Sequence, residues 1–317
     1  MQPGERRKIV LVTEDSFAAL VRAFKVAPKF TGYAQATQDL WGRELDFAAR
    51  PDCLGALSRH ELRPALVQAF IDGLTGKPGK QAAVMAALKQ LEKWAVVRDL
   101  LPRQITLGVE TEDSDGGHIP WTAEQVAYAE ANLPAPLSRV ITLAAHTGQR
   151  GSDLIRMGPT DLEVYNGIEG ITVHQKKTGR EVWVPITSTL AAVMKTWERR
   201  PGPFLTRADG RPWTRKGLTD AWTYQRDNNA LFESYRLCGP SRDRPLVIHG
   251  LRGHACVQLL RAGANTRQIS DMVGMSEEMV ANYTRFSVQR ENASAAVHHL
   301  ERTIRERNID KSDRIGS

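Results

Sequence analysis

The chain has 317 residues, 41 % hydrophobic and 25 % charged, a globular composition with room for about two domains. Its formal charge of +7 and pI of about 9.4 favour an acidic partner such as nucleic acid, but the excess is spread along the chain and forms no basic tail. Cys53, Cys238 and Cys256 are too few and too scattered for a disulfide framework, and no apolar run is long enough to cross a bilayer. Both features, with a polar N-terminus, give the expectation of a cytoplasmic protein without membrane association.

The first hundred residues read as helices. Ser16 is placed to cap the first, and Thr37 to Ala49 gives the second. Pro64 to Leu74 follows, with Leu66, Ala69, Phe70 and Leu74 at helical spacing. Lys80 to Asp99 carries Val84, Leu88, Leu91 and Ala95 on one side. The loop from Gly73 to Lys80 falls short of a nucleotide-binding P-loop. Its glycines are spaced one residue too widely, and Gln81 stands where a magnesium-binding hydroxyl is needed. Lys77 and Lys80 are instead read as candidate contacts to DNA phosphates near a helix start, with a solvated loop as the plain alternative. The acidic, glycine-ended stretch from Glu110 to Gly117 is read as an interdomain linker. This divides the chain into a helical domain over 1–109, a linker over 110–117 and a second domain over 118–317.

In the second domain Thr122 caps a helix through Asn132, and the Pro134-Ala135-Pro136 break precedes a helix over Leu137 to His146. Gly148 ends it, and a further helix carries Arg150 to Met157. Ile171 to Val173 and Val182 to Val184 alternate with the period of strands, so Lys176-Lys177-Thr178-Gly179-Arg180 is the turn of a hairpin. Helices are expected from Ser188 and over about 249–262, 266–273 and 277–286. Gly263 and Gly274 serve as C-terminal caps, Asn265 and Ser276 as N-terminal caps. The segment 201–247 has no legible order. A tail helix is expected over about 293–308. The fold class is therefore mainly α with a small β-sheet.

Five residues in this half suit metal-free phosphodiester chemistry: Arg150, Lys177, His249, Arg252 and Tyr283. A phosphodiester resists attack because its oxygens are negative, so permanently charged, bidentate guanidinium groups are the natural clamp. A histidine shares protons near neutral pH. A lysine on a hairpin turn can reach a leaving oxygen, and a tyrosine among cations can act as nucleophile. Taken singly, each has an ordinary structural explanation. His249 and His254 lie off helical zinc spacing, so no metal is expected.

Together the five resemble the active site of the tyrosine recombinases, the phage-integrase family. The resemblance rests on Thr147-Gly148-Gln149-Arg150 with Asp153 three residues on, Lys177-Thr178 in a hairpin, His249-Gly250-Leu251-Arg252, and Val280-Ala281-Asn282-Tyr283. It implies a helical core-binding domain followed by a catalytic domain. It also implies that Tyr283 is the nucleophile, that Arg150, Lys177, His249 and Arg252 assist it, and that Asp153 is a supporting residue. Lys176 is the fallback for Lys177 and a candidate DNA contact. One position departs: the family has histidine or tryptophan where this chain has Met275, which lacks a hydrogen-bond donor and implies a slower enzyme.

The resemblance further implies strand exchange on double-stranded DNA by a tetramer, without metal, ATP or other cofactor, for integration or excision of a mobile element. Accessory DNA-bending or directionality factors and association with the nucleoid belong to the same expectation. The rivals are a type IB topoisomerase, a catalytically weakened DNA-binding protein of the same fold, and a metal nuclease, for which no acidic cluster speaks.

Overall fold

The structure is a computed structural model that describes residues 14–113, 117–197, 201–229, 232–233, 237–239, 245–285, 293–294, 296–298, 300–302 and 304. The chain divides into two units, Met1–Gly117 and His118–Ser317.

The first unit is helical. Helix α1 (Phe17–Val26) starts at Ser16, whose hydroxyl accepts a hydrogen bond from Ala19 N at 3.2 Å. A short α2 (Pro28–Thr31) leads to α3 (Gln35–Ala48). Helices α4 (Pro64–Asp72) and α5 (Pro78–Val96) both open on proline, whose fixed φ and missing N–H suit a first turn. Along α5, Val84, Leu88, Leu91 and Ala95 are buried, and they meet Phe17, Phe24 and Leu45 in the core of the unit.

The stretch expected to be a bare linker is partly anchored. Gln68 Oε1 accepts from Glu110 N, Gln81 Oε1 accepts from Glu112 N, and the Glu112 carboxylate accepts from Gly76 N. Two glutamine side chains on α4 and α5 and the Glu112 carboxylate therefore hold the segment to this unit. Residues 114–116 lie outside the described residues.

The second unit is built around α7 (Ala135–Thr147), flanked by α6 (Ala123–Asn132) and α11 (Gly250–Arg261). Thr122 and Gln125 form a reciprocal capping box at the start of α6. A short α8 (Gly151–Leu154) precedes a three-stranded antiparallel sheet in the order β1 (Leu162–Tyr165), β2 (Ile168–His174), β3 (Glu181–Pro185). Thr172 pairs with Trp183 across β2 and β3. Ile171, Val173, Val182 and Val184 turn to the core, which also takes Val140, Ile141, Leu154, Trp222 and Leu251.

Helices α9 (Ser188–Lys195), α10 (Arg215–Asn228), α12 (Thr266–Val273) and α13 (277–285) complete the described elements. The helix expected over Arg150 to Met157 shrinks to α8, with Arg150 as its N-cap. Strand β1 and helix α10 are additions to the sequence expectation. Of the expected tail helix, 293–294, 296–298, 300–302 and 304 are described and helical, with exposed Val297, Leu300 and Ile304; its other positions lie outside the described residues. No helix among the described residues is long and apolar enough to cross a membrane.

Candidate active site

Three tight approaches assemble the site. The first is at Gly148, which ends α7 in the left-handed region at φ 63°. A Cβ there would also meet Ala255 and Val273 at 3.0 Å, so glycine serves both the turn and the contact with α11 and α12. The turn delivers Gln149 inward and sets Arg150 at the start of α8.

The second approach joins the sheet to α12. Gln175, just past β2, is 1 % exposed. Its amide donates to Gln149 Oε1 at 2.8 Å and to the Val273 carbonyl at 3.1 Å. Its own oxygen accepts from Arg150 Nη1 at 2.8 Å and from Thr178 Oγ1 at 3.0 Å. Gln149 in turn donates to the Thr147, Met272 and Val273 carbonyls. Gly274, at φ 68°, completes the contact; a Cβ there would sit 2.3 Å from Gln175 Nε2.

The third approach sets the segment 118–121 against the start of α11. Trp121 Nε1 donates to the Val247 carbonyl at 2.9 Å, and His254 Nδ1 lies 2.9 Å from the Trp121 carbonyl. Gly250 leaves room for the Ile119 carbonyl, which a Cβ would meet at 2.2 Å. At Gly253 a Cβ would meet Tyr283 Cδ1 at 2.7 Å and Pro120 at 2.8 Å. Tyr283 therefore packs on α11 one residue from Arg252.

These approaches bring Arg150, His249, Arg252 and Tyr283 together. Arg252 is 2 % exposed and donates from Nη1 to the Gly148 carbonyl at 2.7 Å, with Nη2 3.5 Å from the Val273 carbonyl. Both arginines are thus held by neutral oxygens, and among the described residues neither makes a salt bridge. Burial and the neighbouring Arg150 lower the Arg252 pKa to about 10, which still leaves it charged at neutral pH. Burial, then His118, Arg252, Arg215 and Arg150, push His249 down to about 4, so its imidazole is neutral at neutral pH and is a weak base until negative charge comes near. Burial raises Tyr283, while Arg252 and Arg150 pull the other way.

The remaining sequence candidates divide. Asp153, 1 % exposed, accepts from Arg156 Nη2 at 2.8 Å and from the Lys176 backbone N–H at 3.1 Å. It fastens the hairpin turn to α8. Lys176 and Lys177 are exposed at that turn, and Lys177 makes no hydrogen bond or ion pair among the described residues; the structure does not bring it to the arginines. Met275 is buried with Cys256, Ile269, Val273 and Val280, its sulfur 3.9 Å from that of Cys256, and Tyr283 packs on the same cluster. A thioether supports the tyrosine helix here by packing alone.

In the first unit Lys77 is exposed, but Lys80 has a different partner from the one expected. Its ammonium pairs with the buried Glu44 carboxylate and lies 4.4 Å from the Phe47 ring centroid. A buried carboxylate holds a cation more firmly than solvent does, so Lys80 is committed within its own unit. His118 and Arg215 join the site without having been legible in sequence. The His118 ring lies edge-on to His249 with centroids 4.8 Å apart. Among the described residues, no group of three or more His, Cys, Asp or Glu could hold a metal ion.

A helical domain with a small sheet that gathers two arginines, a histidine and a tyrosine has the fold of a tyrosine-recombinase catalytic domain. The sequence model of the phage integrase family matches residues 123–290, and the chain belongs to that family. The integrase/recombinase-type protein y4qK of Sinorhizobium fredii (strain NBRC 101917 / NGR234) is 26 % identical over 166 residues, 51 % of this chain and 50 % of that protein. The chain thus matches about half the length of this curated relative. Among solved structures, a lambda integrase tetramer bound to a Holliday junction has a TM-score of 0.65 at 15 % identity, covering 86 % of this chain and 83 % of that one. The Tn1549 transposon integrase in complex with a circular intermediate DNA has a TM-score of 0.68 at 14 % identity, covering 87 % and 99 %. These two likenesses establish a shared fold.

Proposed function

We propose that this chain is a site-specific DNA recombinase that cuts and rejoins DNA through a 3′-phosphotyrosyl intermediate, for the integration or excision of a mobile element. The observation that carries the proposal is the pair Arg150 and Arg252. Two guanidinium groups are fixed beside a tyrosine by neutral carbonyl oxygens, so their charge is left for an anion. A phosphodiester fits that demand, and its transition state, with more negative charge on the equatorial oxygens, fits it better.

Tyr283 Oη attacks the phosphorus and the bond to the 5′ oxygen breaks. His249 is assigned to take the tyrosyl proton once the bound phosphate's negative charge has raised its basicity, and Lys177 to protonate the leaving 5′ oxygen once its turn closes on DNA. The phosphotyrosyl bond conserves the energy of the broken ester, so a 5′-hydroxyl of a partner strand reseals the DNA without ATP or metal. Asp153 positions the turn, and Met275 supports the tyrosine helix. The unit before residue 110 is proposed as the core-binding domain, with Lys77 as a phosphate contact. Assembly of four protomers on DNA is part of the proposal and is supported by the likeness to the lambda integrase tetramer. So are accessory bending or directionality factors and nucleoid association.

The test is a covalent trap. Wild type and Tyr283→Phe are incubated with nicked duplexes from the ends of the encoding element, with EDTA present, and denaturation-resistant protein–DNA adducts are counted. The proposal expects an adduct with wild type and none with Tyr283→Phe. DNA binding by both proteins with no adduct from either would favour the second reading, a catalytically weakened DNA-binding protein. The donor-free Met275 is the observation that supports that reading.

A further inference from the structure

Arg215 and His118 have no place in the chemistry above, yet they stand beside it. Thr214 caps α10 by accepting from Gly217 N at 3.0 Å, which fixes Arg215 as its first residue. The guanidinium lies against Gly151 at the start of α8, where a Cβ would meet Nη1 at 3.7 Å. It therefore lies close in space to Arg150, the chain neighbour of Gly151. His118 is held over His249 by the anchored segment ending at Trp121, with the rings at 72°. Both side chains are exposed to solvent. Among the described residues neither forms a hydrogen bond or a salt bridge with its side chain. The positive field of Arg215 reaches both imidazoles.

A cation placed next to another cation, with no carboxylate between, raises the free energy of the unliganded fold. Here that arrangement recurs in a row: Arg252, Arg150, Arg215, with His249 and His118 alongside. A single phosphodiester presents two non-bridging oxygens, and Arg150 with Arg252 already matches them. A DNA strand, however, offers a second phosphate one nucleotide away. We propose that Arg215 and His118 form a second anion-binding subsite that takes a backbone phosphate of DNA adjoining the one held by Arg150 and Arg252. This rests on the reading of that arginine pair as a phosphate clamp. The role of the subsite is to fix the strand on both sides of the attacked bond, so that the phosphorus stays in line with Tyr283. A misplacement of about 1 Å costs on the order of a hundredfold in rate.

The test uses inorganic phosphate and a random-sequence duplex, which need no knowledge of the recombination site. Imidazole signals of the 15N-labelled full chain are assigned with His118→Asn and His249→Asn, and phosphate is titrated in. Both rings are expected to shift. Arg215→Gln is expected to weaken the midpoint read at His118 about fivefold or more, and that read at His249 less than about twofold, as loss of one charged phosphate contact predicts. Arg215→Lys should recover part of the loss. With the duplex, Arg215→Gln should reduce the slope of log affinity against log salt by about 1. A His118 signal that ignores phosphate overturns the subsite. So does equal weakening at both rings, or an unchanged salt slope. Tyr283→Phe should leave every one of these readings intact. A failed covalent trap beside a positive His118 result would therefore sink the catalytic reading and leave the subsite standing.

Discussion

Gln175 is the residue whose removal tests most directly how the site is held. It is buried and makes four hydrogen bonds, two donated to Gln149 and the Val273 carbonyl, and two accepted from Arg150 and Thr178. A neutral bond contributes about 1 kcal/mol net and one to a charged donor about 2 kcal/mol. Complete loss would cost about 5 kcal/mol. The gap opens toward the exposed hairpin turn, and water entering there recovers part, so Gln175→Ala is expected to cost about 3 kcal/mol in urea unfolding. Arg150 loses its side-chain anchor among the described residues, so the rate of adduct formation should fall on the order of a hundredfold. Gln175→Glu separates orientation from charge. Its carboxylate keeps an acceptor for Arg150 but neutralises it, so the variant should fold and still lose most of the rate. An Ala variant that loses less than about 1 kcal/mol while forming adduct at the wild-type rate would refute the argument that this amide network orients Arg150.

Two further outcomes are expected. His249 has a folded pKa of about 4 against an ordinary 6.5, so the unfolded chain binds the proton first as pH falls. Stability should therefore be full above pH 6.5 and decline through the window down to about 4. At about 1.4 kcal/mol per unit the share of His249 is about 3 kcal/mol, and His249→Gln should flatten the decline in urea midpoints measured at pH 7.5 and 4.5. Flattening is partial, because buried His254 and half-buried His146 are shifted in the same direction. In the first unit, Lys80→Ala should cost about 2–3 kcal/mol by leaving Glu44 buried without its cation. The salt slope of DNA binding should stay unchanged, whereas Lys77→Ala should leave stability alone and reduce that slope by about 1.

Legibility in the sequence followed the range of the physical signal. Signals that act within one turn of chain were readable: Ser16, Thr122 and Asn265 as caps, Gly148 and Gly274 as left-handed terminators, and the alternation of Ile171, Val173, Val182 and Val184. Strand β1 was not, because all four of its residues are exposed and show no buried alternation. It forms because Asn166 and Gly167, at φ 50° and 76°, turn the chain back onto β2. Helix α10 was hidden in a stretch dense with Arg, Pro and Trp, although Thr214 does cap it.

The site shows the same division. Arg150, His249, Arg252 and Tyr283 stand out because each lies in a short motif. Gln175, His118 and Arg215 do not, because what places them is tertiary: a glutamine two residues before a hairpin lysine carries no signal until the Val273 carbonyl is beside it. Lys80 shows the reverse case: its partner Glu44, 36 residues away, carries no signal at the helix start where the lysine reads as a phosphate contact. The motif residues supply charge and a tyrosine, and the distances between them are set partly by glycines and an amide inside the motifs, Gly148, Gln149 and Gly250, and partly by Gln175, Gly253 and Gly274 outside them. A chain only 14–17 % identical to the lambda and Tn1549 integrases shares their fold. Met275 fits that fold by packing: its contact with Cys256 and the tyrosine helix asks for volume and shape, which a thioether supplies, and not for a proton donor.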